Sequence, residues 1–283
     1  MAIRSFKATT PTRRGTKLED RSNLSKISGP RSLTIGKRQK SGRNNQGKIT
    51  VRHRGGGVKR RIRIVDFKRN KLDVPAKVLG FFFDPNRTAH LALLQYADGE
   101  KRYIIAPRTL KIGDSIISSE KADILVGNAM QIQNIPSGTE VHCVENEVGR
   151  GARFGRSAGQ VVIVQGRDAT GKFVQIKMPS GEIRLVPSTA MATIGQVGNE
   201  DKLNVKLGKA GRRRNLGWRP TVRGMAMHAV QHPHGGGEGK GQVGGQAKDI
   251  WGNRIGTKTR KKKRSNKNII RFRRPKTRPE AKK

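Results

Sequence analysis

Sustained apolar patterning occurs only in the middle of this 283-residue chain. From Arg61, residues Ile62, Ile64 and Phe67 begin a half-alternating run, and Val74 to Phe83 reads as a mostly buried strand rich in β-formers. Asp84-Pro85-Asn86 makes a turn, Leu91 to Tyr96 a second strand, Asp98-Gly99 a hairpin tip, and Arg102 to Ala106 the returning strand. Ile112 to Ile117 adds a short one. A second set follows at Glu140 to Glu145, Gln160 to Gly166 and Lys172 to Met178, where Pro179-Ser180-Gly181 turns the chain into Glu182 to Val186. In that hairpin Val174, Ile176 and Met178 alternate with Phe173, Gln175 and Lys177, and Ile183 and Leu185 alternate with Glu182, Arg184 and Val186. No helical period competes. Short strands between Gly/Pro turns predict an all-β protein of two small barrels, with a break near Asn128 to Gly138.

Both ends lack any period. Up to about residue 60, Pro11, Gly15, Gly29-Pro30, Gly36, Gly42, Gly47 and Gly55-Gly56-Gly57 interrupt the chain every few residues. This segment is expected to be an extended arm that a partner orders. Beyond Gly208 regularity is lost again through the glycines of Gly235 to Gly245. The expected layout is a basic extension over 1–60, barrels over 61–128 and 129–203, and a Gly-rich polybasic extension over 204–283.

Charge follows the same division. Met1 to Lys71 holds 22 Lys and Arg against 3 acids, Leu72 to Glu200 holds 14 against 13, and Asp201 to Lys283 holds 25 against 4. A nearly neutral body therefore carries two polycationic arms, whose self-repulsion opposes compaction unless anions are supplied. Phosphate backbone is the obvious counter-charge, so the class is nucleic-acid binding. The single Cys143 excludes an internal disulfide framework, argues against a zinc ribbon, and reads as a small buried residue in Val141 to Val144. No run approaches the ~20 apolar residues of a membrane span, and the N-terminus has no signal core, so a cytoplasmic protein is expected, an organellar one remaining open.

Three clusters carry candidate chemistry. The first, Arg52-His53-Arg54-Gly55-Gly56-Gly57-Val58-Lys59-Arg60-Arg61, would bring backbone close to a phosphate while its guanidinium groups reach neighbouring ones. It lacks the Gly-Lys-Ser/Thr of a nucleotide-binding P-loop. The second joins Lys209 and Arg212-Arg213-Arg214 to Trp218, Arg219 and Arg223; Trp218 either stacks on unpaired bases or covers a satellite core. In the third, His228-Ala229-Val230-Gln231-His232-Pro233-His234-Gly235-Gly236-Gly237-Glu238-Gly239-Lys240, histidines at i and i+2 with a nearby Glu invite a metal or general-base reading. One cysteine, no HExxH helix and no acid preceding either histidine favour contact with folded RNA instead. No metal, no nucleophile elbow and no paired-carboxylate site is expected.

The blocks RHRGGGVKRR (Arg52 to Arg61), DFKRNK (Asp66 to Lys71), DPNRTAHLALLQYADGEKRYIIAP (Asp84 to Pro107), GKAGRRR (Gly208 to Arg214), RPTVRG (Arg219 to Gly224) and HPHGGGEG (His232 to Gly239) resemble, in order, the L2 family of large-subunit ribosomal proteins. The resemblance implies an oligonucleotide-binding-type barrel followed by an SH3-like barrel. It implies extensions running through large-subunit ribosomal RNA, early assembly, subunit association and support of the peptidyl-transferase region. It also attaches a suggested catalytic role to the first histidine of HPHGGGEG, His232 here. The family's Asp before HPH is replaced by Gln231, which cannot act as a charged orienter of His232.

The expectation is thus a structural, non-enzymatic RNA scaffold. Its partners would be large-subunit RNA, small-subunit RNA and neighbouring ribosomal proteins, with no homo-oligomer and no cofactor beyond RNA-associated Mg. The rivals are a His232-dependent acyl transferase and a general nucleic-acid packaging protein. The expected RNA contacts are Arg52, His53, Arg54, Gly55, Gly56, Gly57, Lys59, Arg60, Arg61, Arg63, Lys68 and Arg69 in the first arm and strand. Arg87, Arg102, Arg150, Arg156, Arg167, Lys177 and Arg184 follow on the barrels. Lys209, Arg212, Arg213, Arg214, Trp218, Arg219, Arg223, His232, His234, Lys240, Arg260, Lys261, Lys262, Lys263 and Arg264 lie beyond them.

Overall fold

A computed structural model describes residues 3–26, 28–239, 244–257 and 264–273. Its strands in chain order are β1 (Ile3–Ser5), β2 (Lys17–Glu19), β3 (Thr34–Gly36), β4 (Arg61–Arg63), β5 (Ala76–Phe82), β6 (Leu91–Tyr96), β7 (Lys101–Ile105), β8 (Ser115–Ile116) and β9 (Ala129–Gln131). There follow β10 (Glu140–His142), β11 (Val144–Glu145), β12 (Ala152–Phe154), β13 (Val162–Arg167), β14 (Phe173–Lys177), β15 (Ile183–Pro187), β16 (Met191–Ile194) and β17 (Ile269–Arg271). The α-helices are two short ones without buried residues, α1 (Pro11–Arg14) and α2 (Ala210–Asn215). The all-β expectation holds. The chain divides into two units: Met1–Arg38 with Lys59–Lys209 and Ser265–Lys283, and Gln39–Val58 with Ala210–Arg264.

The first unit contains both large sheets. A four-stranded antiparallel sheet has the order β7-β6-β5-β8. Its central β6 is the continuous apolar run LALLQY, and both faces are buried: Ala92, Leu94 and Tyr96 against Val78, Ile104 and Ile116, and Leu91 and Leu93 against Phe82 and Tyr103. The Asp98-Gly99 turn joins β6 to β7, with Gly99 at φ 85° where a side chain would be strained. A seven-stranded antiparallel sheet has the order β17-β15-β14-β13-β10-β16-β9 around a core of Met130, Ile132, Val141, Val162, Val164, Val174, Ile176, Val186 and Ile194.

Beyond the short strands β1, β2 and β3 in a segment read as periodless, and β9, β12 and β16, three further details differ from the sequence reading. The run Glu140 to Glu145 breaks into β10 and β11 because Cys143 adopts φ 50°, and β11 pairs with β12 instead of extending the large sheet. Cys143 is partly buried, packed beside Ala89, Ile105 and Val197; burial pushes its thiol up to about 12, against the opposing pull of nearby arginines, which disfavours the thiolate. In β15, pairing sets Ile176 opposite Arg184 and Val174 opposite Val186, so Arg184 and Val186 share the core-facing side rather than Ile183 and Leu185. The third is β17, which lies in a segment read as structureless yet pairs with the edge of β15, with Ile269 buried.

The N-terminal segment is irregular but anchored within its unit. Thr16 and Leu24 are buried, Lys17 and Lys206 exchange backbone hydrogen bonds of 2.9 and 2.8 Å, and Ser25 N–H donates to Phe81 O at 2.8 Å. Glu19 is the hub. Its carboxylate accepts from Asn199 Nδ2 (2.7 Å) and Lys202 Nζ (2.8 Å), and His90 Nε2 lies 2.9 Å away, off the hydrogen-bonding line. Burial raises the carboxyl's pKa, but His90 and Lys202 outweigh it and hold it near 2, below the ordinary 4.5.

Between those values the unfolded chain binds a proton that the folded one does not. The tether's contribution is therefore complete above about pH 4.5 and lost as pH falls through about 2. Hydrogen-exchange protection of the amides over 16–25, taken relative to the intrinsic rate at each pH, should fall as pH drops across that window, and Glu19→Gln should remove the dependence. An unchanged acid profile in the variant would contradict the assignment.

Candidate nucleic-acid interface

In the second unit, the backbone around the three glycines is zipped to the segment after α2. Gly55 N–H donates to Gly217 O (3.0 Å), Val58 N–H to Asn215 O (3.0 Å) and Arg219 N–H to His53 O (3.0 Å), with Arg54 and Trp218 paired across the bridge. A Cβ on Gly57 would sit 2.8 Å from Gly217 Cα. Thus Gly57 serves an approach of protein backbone to protein backbone, where the sequence suggested an approach to phosphate. What this leaves outward is cationic. Arg52, Arg213, Arg219 and Arg223 are exposed, and Arg212 and Arg214 are half-buried on α2, whose last turn suits their charge. A concavity of ≈ 430 Å³ is lined by Arg43, Arg52, Arg54 and Arg219 together with His53.

The histidine cluster forms a tight turn in the same unit. His232 Nδ1 accepts from His234 N–H (3.0 Å), and His234 Nε2 accepts from Lys248 N–H (2.7 Å). Gly235 N–H donates to His232 O (2.9 Å) and Gly236 N–H to Met227 O (3.1 Å). A side chain at Gly224 would collide with the His232 ring, and one at Gly235 with the Met227 and His228 carbonyls. Both imidazoles therefore spend a lone pair on the loop itself. Among the described residues, no three His, Cys, Asp or Glu are placed to hold a metal.

The first unit sorts the expected arginines into bound and available ones. Arg69 is buried, donating from Nε to Ser118 Oγ (2.8 Å) and from Nη2 to Gly127 O (3.3 Å), so it braces the core and offers nothing to a partner. Arg102 is held by Glu100 (2.6 Å) and Asp66 (3.0 Å), which push its pKa up, Glu100 foremost. Arg87 and Arg63 flank the fully buried Asp84 at 2.7 and 3.6 Å, and Arg60 donates to Pro85 O at 3.0 Å. Arg184 lies over the Phe154 ring (5.1 Å) beside Glu182 (3.3 Å). These side chains fix the fold first.

Lys59, Arg61, Lys68, Arg150, Arg156, Arg167, Lys177 and Lys209 remain exposed, Arg167 also donating from Nη2 to Gln133 O at 2.5 Å. Arg156 rests on Phe67 at 5.0 Å, and Arg150 pairs only with the exposed Glu147. The fully buried Glu145 accepts from the Gly149 and Gly151 amides (3.2 and 2.8 Å), organising the loop that carries Arg150. Lys240, Arg260, Lys261, Lys262 and Lys263 lie outside the described residues, as does the side chain of Arg264.

The sequence reading missed Arg31, which joins Lys59, Arg60 and Arg61 around a groove of ≈ 540 Å³, and Arg43, which joins Arg52 and Arg219. Neither stands in a cationic cluster of its own; only folding gathers them. Among the described residues no helix is long and apolar enough to cross a membrane.

Comparison with known proteins fits this geometry. Residues 30–118 match the family of Ribosomal Proteins L2, RNA binding N-terminal domain, and residues 125–252 match Ribosomal Proteins L2, C-terminal domain. The large ribosomal subunit protein uL2 of Rickettsia bellii (strain OSU 85-389) is 53% identical over 274 residues, covering 96% of this chain and 100% of that protein. The protein of the same name from Maricaulis maris (strain MCS10) is 51% identical over 274 residues, covering 96% of this chain and 98% of its own length. With two adjoining family matches and relatives of this identity along nearly its whole length, the chain belongs to the ribosomal protein L2 family.

Proposed function

We propose that this protein is a structural constituent of the large ribosomal subunit, a scaffold that binds ribosomal RNA and catalyses nothing itself. The observation that carries this reading is the second unit: Gln39–Val58 and Ala210–Arg264 together hold 19 Lys and Arg against 2 acids. A self-repelling surface of that kind is stabilised by phosphate backbone. Strand sets over 61–128 and 129–203 act as docking modules on defined RNA helices, and the extensions over 1–60 and 204–283 follow RNA. Assembly, subunit association and support of the peptidyl-transferase region are the roles this suits, in a cytoplasmic ribosome beside small-subunit RNA and neighbouring proteins. His232 contributes to the shape of its loop: its Nδ1 lone pair is engaged at 3.0 Å, so the neutral ring has no free base nitrogen.

The test is a filter-binding competition with the full chain on large-subunit ribosomal RNA. Structured RNA should displace the complex at least about tenfold better than duplex DNA of equal charge, because the barrels select shape where counterion release alone does not. Equal displacement by DNA would indicate general packaging and reject the scaffold reading.

A further inference from the structure

Resting on that RNA-binding reading, we infer that Trp218 is a positioning residue for a phosphate site and takes no base on its ring. One face of its indole is already occupied, while 37% of the residue stays exposed. The Arg54 guanidinium carbon lies 3.3 Å from the ring centroid, in direct stacking contact, and that of Arg213 lies 5.5 Å away. The backbone builds this arrangement. Arg54 and Trp218 face each other across an antiparallel bridge, flanked by the Gly55–Gly217 and His53–Arg219 hydrogen bonds, so their side chains lie at the close, non-hydrogen-bonded pairing distance. Trp218 N–H also donates to Arg213 O at 3.3 Å, tying the third member in place.

A guanidinium stacked by its face keeps its N–H donors in the plane, free for a phosphate oxygen. The stacked Arg54 borders the concavity shared with Arg43, Arg52 and Arg219. None of Arg43, Arg52, Arg54, Arg213 and Arg219 has a carboxylate partner among the described residues, whereas Arg63, Arg87, Arg102 and Arg184 of the barrels all do. The ring thus restrains two long side chains that would otherwise be mobile, and one of them, Arg54, lines a cavity of ≈ 430 Å³ walled by unneutralised cations. The ligand chemistry is a run of phosphodiesters in folded RNA, gripped through guanidinium edges.

The experiment measures binding of full-length chain to large-subunit ribosomal RNA across a salt series. Trp218→Leu should weaken binding about tenfold, as two ordered arginines become disordered, and lower the salt slope by about 1 to 2. Trp218→Phe, which keeps an aromatic face, should recover most of both. In a Trp251→Phe background, Trp218 fluorescence should change little when RNA is added. Strong quenching by RNA, with an affinity loss in Trp218→Leu at unchanged salt slope, would make Trp218 a base platform and overturn the proposal. So would a Trp218→Leu variant that binds like the parent. A wild-type slope near zero would instead remove the RNA reading beneath it.

Discussion

Raising monovalent salt from 50 to 200 mM should weaken binding of this protein to large-subunit ribosomal RNA by about four to five decades. The magnitude follows from counterion release: each neutralised phosphate contributes about 0.7 to 0.9 to the slope of log affinity against log salt, and about ten contacts are assumed. The structure says which cations can supply them. In the second unit 19 Lys and Arg face 2 acids, and one of those, Asp249, is spent on a turn with Asn253 and the Trp251 amide. In the first, Arg69 and Arg102 are already engaged. Replacing Arg212, Arg213 and Arg214 together by Gln should therefore lower the slope by about 2 to 3, leaving the barrels folded. A slope near zero for the wild type would contradict the polyelectrolyte basis of the whole reading.

The second large effect concerns stability in acid. His142, on β10, is almost fully buried, and its Nδ1–H donates to Gly195 O at 2.7 Å, tying β10 to the end of β16. Burial lowers its pKa from 6.5 to about 4; the Gly195 carbonyl pulls the other way and Arg69 adds repulsion. The folded chain therefore keeps His142 neutral where the unfolded chain protonates it. Stability must fall as pH drops from about 6.5 towards 4, and is unaffected by this group above that window. The shift corresponds to roughly 3 kcal/mol. Urea unfolding of RNA-free protein at pH 7 and pH 4 should show that loss. His142→Gln, which can still donate to Gly195 O but does not titrate, should be less stable at pH 7 and much flatter with pH. If wild type and variant lose stability in parallel, His142 is not the sensor.

Local pattern made the core elements legible. LALLQY announced a strand, and the Asp98-Gly99 and Ser180-Gly181 turns set two hairpins, because strand period and turn conformation are properties of a few adjacent residues. The short strands β1, β2, β3, β9, β12 and β16 escaped notice. Strands of three or four residues carry too little period, and are made by their neighbours. β17 escaped for the same reason, its Ile-Ile pair being hidden in a polybasic setting.

The candidate site was legible as a class and not as a constellation. Composition located the surplus cations, since charge survives any folding. It could not say that Arg69 turns inward, that Arg102 meets Asp66, or that Arg43 and Arg219 line one cavity. Trp218 illustrates the limit best. The sequence leaves open whether a tryptophan among arginines stacks on bases or on a protein cation; the bridge to Arg54 shows one of its faces stacked on a guanidinium.

What the chain's order alone determined is its charge division, a nearly neutral strand-rich middle between two cationic ends, and with it the kind of partner. Tertiary structure decided which cations are spent holding the protein together and which stay outward. Ion pairing and burial depend on distances of a few ångströms between residues far apart in sequence, and only the folded backbone sets those distances.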